Sequence, residues 1–470
     1  MPARRRMFPW GFATIARLLE DDGHEISVLD IYAHGFLRDE VEKRLNQLSV
    51  DCICITGFSS SCYLYVVWLA KEIKKRYQVP VIVGGLLASY HFNFLLSKGT
   101  IDICVIGEGE RTVVDLFRNF NRLSVVKGIS YRDKGGIKQN QPRELIDNLD
   151  ILPLPNFERW PMERYTMVKM YADDPSNRYE FFYGENAPEL QSNMTLLSGR
   201  GCSYKCAFCS PSYNSLRLKS MGKLMEEIKF LKDSYQIKAV YFVDELLIVN
   251  KKRTMEFCRE IKKLDLFWNG QSRINNLDRE TLLALKESKC LSLAVGVESG
   301  SDKILKAMKK GITREQSLKV LREVKEARMH LKILLMFGYP GETKETLSET
   351  ASLIKKAGLP PRRLNWTTPL PGSELYEQVK QRGLITDEEA YIMQLNKGFN
   401  RPDNVVLNVS GKSDEEMIRL FEWIHLKMEV DYFLNVLREP QKVSLKKLWN
   451  LLTRIYKRAV PYYKSCMRSL

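Results

Sequence analysis

From residue 192 to 385 the sequence alternates short apolar runs with helix-like segments. MTLLSG, AVYFVDE, FWNGQSR, LSLAVGVES, LKILLMFGYPGE and RLNWTTPLPG are six strand candidates, each followed by an amphipathic stretch. Parallel strands cannot be joined by a tight turn and need a crossover, usually a helix. Six such units in a row predict a barrel or an incomplete barrel with chemistry at the carboxyl ends of its strands. A shorter series precedes it. EISVLDIY, DCICITGF, VPVIVGG and IDICVIGEGE read as strands 25–32, 51–58, 79–85 and 101–107, and WGFATIARLLEDDG, DEVEKRLNQL and YLYVVWLAKEIKKRY carry helical periodicity between them. This is a small doubly wound α/β domain, whose ligands belong at the carboxyl ends of its strands. The expected division is an α/β domain over 1–130, a proline-containing linker over 131–191 (LPLPNFERWP, YADDPSN), the partial barrel over 192–385 and a helical region over 386–470.

A chain of 470 residues, 44% hydrophobic and 28% charged, can bury more than one core. It has no fixed-period repeat, which argues against a solenoid. No apolar run is long enough to span a bilayer, and MPARRRMFPWGF lacks the apolar core of an export signal. The ten cysteines form no small secreted framework. A reducing, cytoplasmic setting is the expectation. The net charge of +16 predicts an acidic partner: nucleic acid, an anionic membrane surface or phosphorylated ligands.

The first strand of the second series runs into GRGCSYKCAFCS, which places Cys202, Cys206 and Cys209 in the first βα loop, at the catalytic rim. A structural zinc site closes with four ligands, and neither a further cysteine nor a histidine lies nearby. An iron–sulfur cluster takes four thiolates, so three leave one iron open to an exogenous ligand.

The run Cys202-x3-Cys206-x-Phe208-Cys209 resembles the cluster motif of the radical S-adenosylmethionine (SAM) superfamily. The resemblance implies a 4Fe-4S cluster whose open iron binds SAM, an external electron donor, and reductive cleavage to a 5′-deoxyadenosyl radical that abstracts hydrogen from an unreactive carbon. Further positions follow in the order expected of that superfamily over about 192–382. Asp244 and Glu245 end the second strand, where the SAM amino group is received. Arg273 and Glu298 end the third and fourth, toward the SAM carboxylate and ribose, and Gly338 opens the GYPGE turn that passes beside adenine. Ordinary strand-end carboxylates, and a structural salt bridge between Arg273 and Glu298, are the plainer readings. Tyr204, Tyr213 and Trp366 could line a substrate pocket or simply pack.

The first domain resembles the cobalamin-binding domain that precedes the barrel in one branch of the superfamily, through WGFATIARLLEDDGHEISVLD, GFSSS, GG and IGEGE. The resemblance implies that Ser59, Ser60, Ser61, Gly84 and Gly85 approach the nucleotide tail of cobalamin, and that Gly107, Glu108, Gly109 and Glu110 form a loop facing the corrin or the barrel. Three features depart from the pattern: only MPARRRM precedes Phe8-Pro9-Trp10-Gly11, Leu87 stands where a histidine is common, and Asp30 and His34 have the wrong spacing for a histidine ligand to cobalt.

Residues 444–460, SLKKLWNLLTRIYKRAV, place Leu445, Leu448, Trp449, Leu452, Ile455 and Tyr456 at helical spacing with lysines and arginines toward the other side, Ser444 as N-cap and Pro461 as the stop. Such a helix lies on an anionic membrane or packs on the barrel with a solvated basic face. The reading that follows is a radical SAM enzyme, with cobalamin-dependent methylation of an unactivated carbon of a small-molecule or lipid substrate. The alternatives are a cyclase or oxidoreductase that binds no cobalamin and, from another class, a non-enzymatic metal-binding scaffold. Direct nucleic-acid binding is not expected, because Cys52, Cys54, Cys62 and Cys104 do not reproduce the additional cluster pattern of the tRNA methylthiotransferases.

Overall fold

The computed structural model describes residues 6–166, 192–398, 405–438 and 445–467. The first sheet contains β1 (Ile53–Thr56), β2 (Val81–Gly84), β3 (Ile103–Val105), β4 (Ile129–Asp133) and β5 (Gly136–Gln139), in that spatial order. The first three strands are parallel and joined through helices; β4 and β5 add an antiparallel hairpin that carries the sheet beyond residue 130.

The strand expected over 25–32 does not form. Residues 24–30 belong to no ladder, and β1 pairs only with β2. A strand needs a neighbour to satisfy its backbone and cover its side chains. Lacking one, this segment lodges its apolar groups separately: Ile26 against the core beneath β2 and β3, Val28 against the barrel core, and Leu29 against the core beneath the helix Tyr63–Arg76. It ends at Asp30, whose Oδ1 accepts the Ala33 N–H at 2.9 Å and caps the short helix Ile31–His34.

The second sheet runs β6 (Asn193–Leu196), β9 (Ala239–Phe242), β10 (Phe267–Arg273), β11 (Cys290–Glu298), β12 (Leu331–Phe337), β13 (Leu364–Trp366), with every neighbouring pair parallel and in chain order. This is the six-stranded partial barrel the alternation predicts. A hairpin of β7 (Gly199–Arg200) and β8 (Arg217–Leu218) interrupts it after β6. The β6 end is covered by the N-terminal segment: Phe8 N–H donates to Thr195 Oγ1 at 3.0 Å and Trp10 Nε1 to the Thr195 carbonyl at 2.7 Å. Trp10 meets Phe157 edge-on, Phe8 meets it at a tilt, and Phe8 meets Trp160 and Tyr165 edge-on, so the part of the linker through Thr166 packs on the barrel. YADDPSN lies outside the described residues.

The C-terminal region is helical. Phe421, in the helix Asp414–Leu437, meets Phe337 and Trp366 at ring distances of 5.1 and 5.4 Å, which places Trp366 in a packed aromatic core. The last helix spans Leu445–Met467 and continues through Pro461, which therefore is not the stop expected. No helix among the described residues is long and apolar enough to cross a membrane.

Candidate active site

Cys202, Cys206 and Cys209 lie in the loop closed by the β7–β8 hairpin, directly after β6. Gly201 makes that closure possible: its φ is +79°, and a Cβ there would run into the Ser215 carbonyl and come within 2.7 Å of the Tyr213 carbonyl. The loop is pinned by backbone bonds on three sides, Cys202 N–H to Tyr213, Ala207 N–H to Met308 and Leu375 N–H to Ala207. The thiols sense one another. Although Cys209 lies exposed at the rim, the protein packed around its thiol, reinforced by Cys206, Glu245 and Cys202, pushes it up to about 12, and burial raises Cys202 as well. Among the described residues no three His, Cys, Asp or Glu side chains are set to hold one metal ion. Three thiolate donors on one glycine-closed loop have the chemistry an iron–sulfur cluster asks of its ligands, with the fourth position left to another ligand.

Arg273, at the end of β10, reaches this loop. Its Nη1 donates to Cys206 Sγ at 3.2 Å, Nη2 to the Lys310 carbonyl, and its guanidinium lies 3.7 Å over the Tyr204 ring. Glu298 does not pair with Arg273. Its Oε1 accepts from Lys310 Nζ at 2.9 Å, with Lys310 only 5% exposed and also 5.7 Å above the Phe208 ring. Glu298 has φ +64°, and a Cβ at Gly296 would stand 2.7 Å from Lys310 Nζ, so the backbone is shaped around this ion pair. Sequence reasoning missed Lys310; the only hint was a lysine beside a Gly-Ile-Thr turn after the fourth strand.

The two carboxylates ending β9 part company. Asp244, 2% exposed, accepts Ser198 N–H at 2.9 Å and Ser198 Oγ at 2.6 Å; burial pushes it up to about 6 against those hydrogen bonds. It braces the start of the cluster loop. Glu245 remains at the rim and accepts Ser212 N–H at 2.6 Å. In the GYPGE turn, Gly338 (φ +80°) donates its N–H to Glu342 at 2.6 Å, and burial pushes Glu342 up to about 8. Tyr213 lies beside Arg217, 5.0 Å from the guanidinium.

At the carboxyl ends of β1 to β3, the glycine and serine positions form one rim. Gly85 (φ +87°) allows the second βα turn to touch the first, since a Cβ would meet the Gly57 carbonyl at 2.5 Å. Gly84 and Gly107 are open: a Cβ would meet only Val105 at 3.8 Å in the first case and nothing within 4 Å in the second. Ser59 and Ser61 hydroxyls are 2.6 Å apart, and Ser60 Oγ is 2.8 Å from His91 Nε2. Asn396 covers this loop from the C-terminal region, with Nδ2 at 3.4 Å from the Ser60 carbonyl. Glycines without neighbours beside small hydroxyls are compatible with a ligand tail approaching the backbone. Glu108 and Glu110 face the barrel. Glu108 accepts Arg200 Nη1 at 2.7 Å, Arg217 Nη1 at 2.8 Å and Ile146 N–H at 2.7 Å, and Glu110 accepts Arg200 Nη2 at 2.5 Å. The two arginines belong to the β7–β8 hairpin, so the first domain grips the root of the cysteine loop.

Residues 196–354 match the radical SAM superfamily and residues 3–117 match the B12 binding domain. The chain belongs to the cobalamin-binding-domain branch of the radical SAM superfamily. It is an enzyme. Among its relatives is an uncharacterized methyltransferase of Pyrococcus horikoshii, 29% identical over 80% of this chain and 79% of the relative. The anaerobic magnesium-protoporphyrin IX monomethyl ester cyclase of Rubrivivax gelatinosus is 24% identical over 82% of this chain and 68% of its own length. The solved structure of OxsB, a cobalamin-dependent SAM radical enzyme with aqua-cobalamin and SAM bound, superposes with a TM-score of 0.63 at 16% identity, covering 98% of this chain and 70% of that one. The radical SAM enzyme described here shares that fold.

Proposed function

We propose that this radical SAM enzyme is a cobalamin-dependent methyltransferase acting on an unactivated carbon of a small molecule. The observation that carries the reading is the clamp of Glu108 and Glu110 on Arg200 and Arg217, which couples the cobalamin-type domain to the root of the cysteine loop. Methyl transfer to carbon requires a methyl carrier and a hydrogen-abstracting centre to act on one substrate atom, so the domains that hold them must keep a fixed separation. When bound, the 4Fe-4S cluster supplies the electron that cleaves SAM, and cobalamin carries the methyl group.

The chain's own residues divide the remaining work. Cys202, Cys206 and Cys209 would hold the cluster. Glu245, at the rim, would receive the SAM amino group, and Glu298, held by Lys310, the ribose hydroxyls. Arg273 would exchange its contact with Cys206 Sγ for the SAM carboxylate, which its planar fork matches. Ser59 to Ser61, Gly84 and Gly107 would admit the cobalamin tail, while Trp366 and Asp244 have packing and bracing roles. An external one-electron donor completes the reaction.

Ring formation without methyl transfer is the second reading, supported by similarity to the cyclase. Anaerobic purification, cluster reconstitution and loading with hydroxocobalamin separate the two. Near-equimolar cobalamin beside a full cluster, followed by label transfer from methyl-labelled SAM, is the expected result. A full cluster with SAM cleavage and no retained cobalamin would replace methylation by the second reading.

A further inference from the structure

The C-terminal hairpin carries a surface that the chemistry above does not use. Its last helix, Leu445–Met467, contains six basic residues and no acidic one. Leu451, 3% exposed, packs inward, and Arg454 pairs with Glu429 of the helix Asp414–Leu437. Trp449, Leu452 and Tyr456 are 71%, 46% and 69% exposed, at the i, i+3, i+7 spacing of a single helical face. The apolar stripe expected from Leu445, Leu448, Trp449, Leu452, Ile455 and Tyr456 thus splits: Leu448 and Ile455 are partly covered, Trp449, Leu452 and Tyr456 face outward, and the Leu445 side chain lies outside what the structure describes.

The neighbouring helix also leaves apolar groups exposed. Val430, Leu434 and Leu437 are exposed at i, i+4, i+7. The two helices are joined by a short connection and pack together, so they run antiparallel, and the Glu429–Arg454 pair sets their register. Stepping back five residues from Arg454 and forward five from Glu429 brings Trp449 level with Leu434. Tyr456 lies beyond the ion pair along the last helix, next to the exposed Lys457 and Arg458. Scattered apolar residues on a surface need no explanation, but a row of three on one face of a wholly basic helix does.

We propose that this face of the last helix lies on an anionic lipid bilayer surface. The charge selects this occupant. A second copy would set one last helix against another, each with six basic residues and no acidic one, and an RNA backbone would leave the apolar groups uncovered. A bilayer interface takes both, since tryptophan and tyrosine settle at the headgroup level and each lysine or arginine gains about 1 kcal/mol near an anionic leaflet.

The test is flotation of the full-length, cluster-loaded protein with extruded vesicles, either phosphatidylcholine alone or phosphatidylcholine with about one quarter phosphatidylglycerol. Co-flotation with the anionic vesicles, weakened by salt, is expected. Trp449→Ser and Leu452→Ser, both at exposed positions, are each expected to weaken partitioning by about tenfold, the worth of one exposed large side chain losing its burial. Three results overturn the proposal: no flotation with anionic vesicles, flotation that neither substitution weakens, or a concentration-dependent dimer that Trp449→Ser dissociates.

Discussion

Replacing Glu108 by Gln tests the clamp that joins the two domains. The carboxylate is 6% exposed and receives two guanidinium groups and one backbone N–H. Burial by itself would raise its pKa, yet the hydrogen bonds from Arg217, Ile146 and Arg200 hold it below the ordinary carboxylate value. Glutamine keeps the shape and the acceptor oxygen but leaves the buried Arg217 without a counter-charge, since Arg200 alone retains Glu110. Breaking a buried pair in this one-sided manner costs about 3–5 kcal/mol, most of it the burden of the stranded cation. Removing the cation as well, in Glu108→Gln/Arg217→Met, should recover part of that loss, with a coupling of about 1–3 kcal/mol. Urea unfolding followed separately by a probe in each domain measures the loss, because a two-domain chain need not unfold in one step. Iron content after reconstitution reports whether the cysteine loop has loosened. A folded pKa below the unfolded one makes this contribution present above the ordinary carboxylate pKa and lost as pH falls through the folded value. Wild-type stability and iron content in Glu108→Gln, or a double variant that simply sums the two single losses, would refute the argument that the clamp holds the root of the loop.

Three further expectations rest on other residues. Lys310→Met strands Glu298 without its cation and should weaken SAM binding by about tenfold to a hundredfold in equilibrium dialysis; unchanged affinity would remove Lys310 from the site. Gly201→Ala places a Cβ against the Ser215 and Tyr213 carbonyls at φ +79°, with strain of about 1–3 kcal/mol, and should lower iron bound per chain while far-ultraviolet circular dichroism stays native. Glu342 is raised to about 8 by burial, so the folded chain keeps its proton where the unfolded chain has lost it. Its contribution to stability therefore declines as pH rises from the ordinary carboxylate range to about 8, and Glu342→Gln should flatten that part of the urea-midpoint profile between those limits.

The order of the barrel strands and the position of the cysteine loop follow from local pattern alone. A crossover between parallel strands and a run of three cysteines are written in neighbouring residues, so no distant contact is needed to read them. The helices of the first domain are legible for the same reason: their apolar spacing carries its own periodicity. Partnership is different. EISVLDIY has the composition of a strand, but a strand exists only where another lies beside it, and here β1 forms the edge of its sheet with β2 alone.

The same distinction runs through the active site. Sequence placed Asp244, Glu245, Arg273 and Glu298 at strand ends, which is a matter of counting along the chain. Which carboxylate turns inward to Ser198, which stays at the rim, and that Glu298 meets Lys310 instead of Arg273 depend on side chains brought together from separate βα units. The helix ending at Met467 looked like one apolar stripe because periodicity shows that residues share a face but not what covers them; only packing against the preceding helix leaves Trp449 and Tyr456 outside. By itself the sequence determined most of the elements and the place of the three-cysteine run, which depend on short-range geometry. Tertiary structure decided the ion pairs, the clamp between domains and the uncovered hairpin face, because burial and charge pairing belong to contacts between residues far apart in the chain.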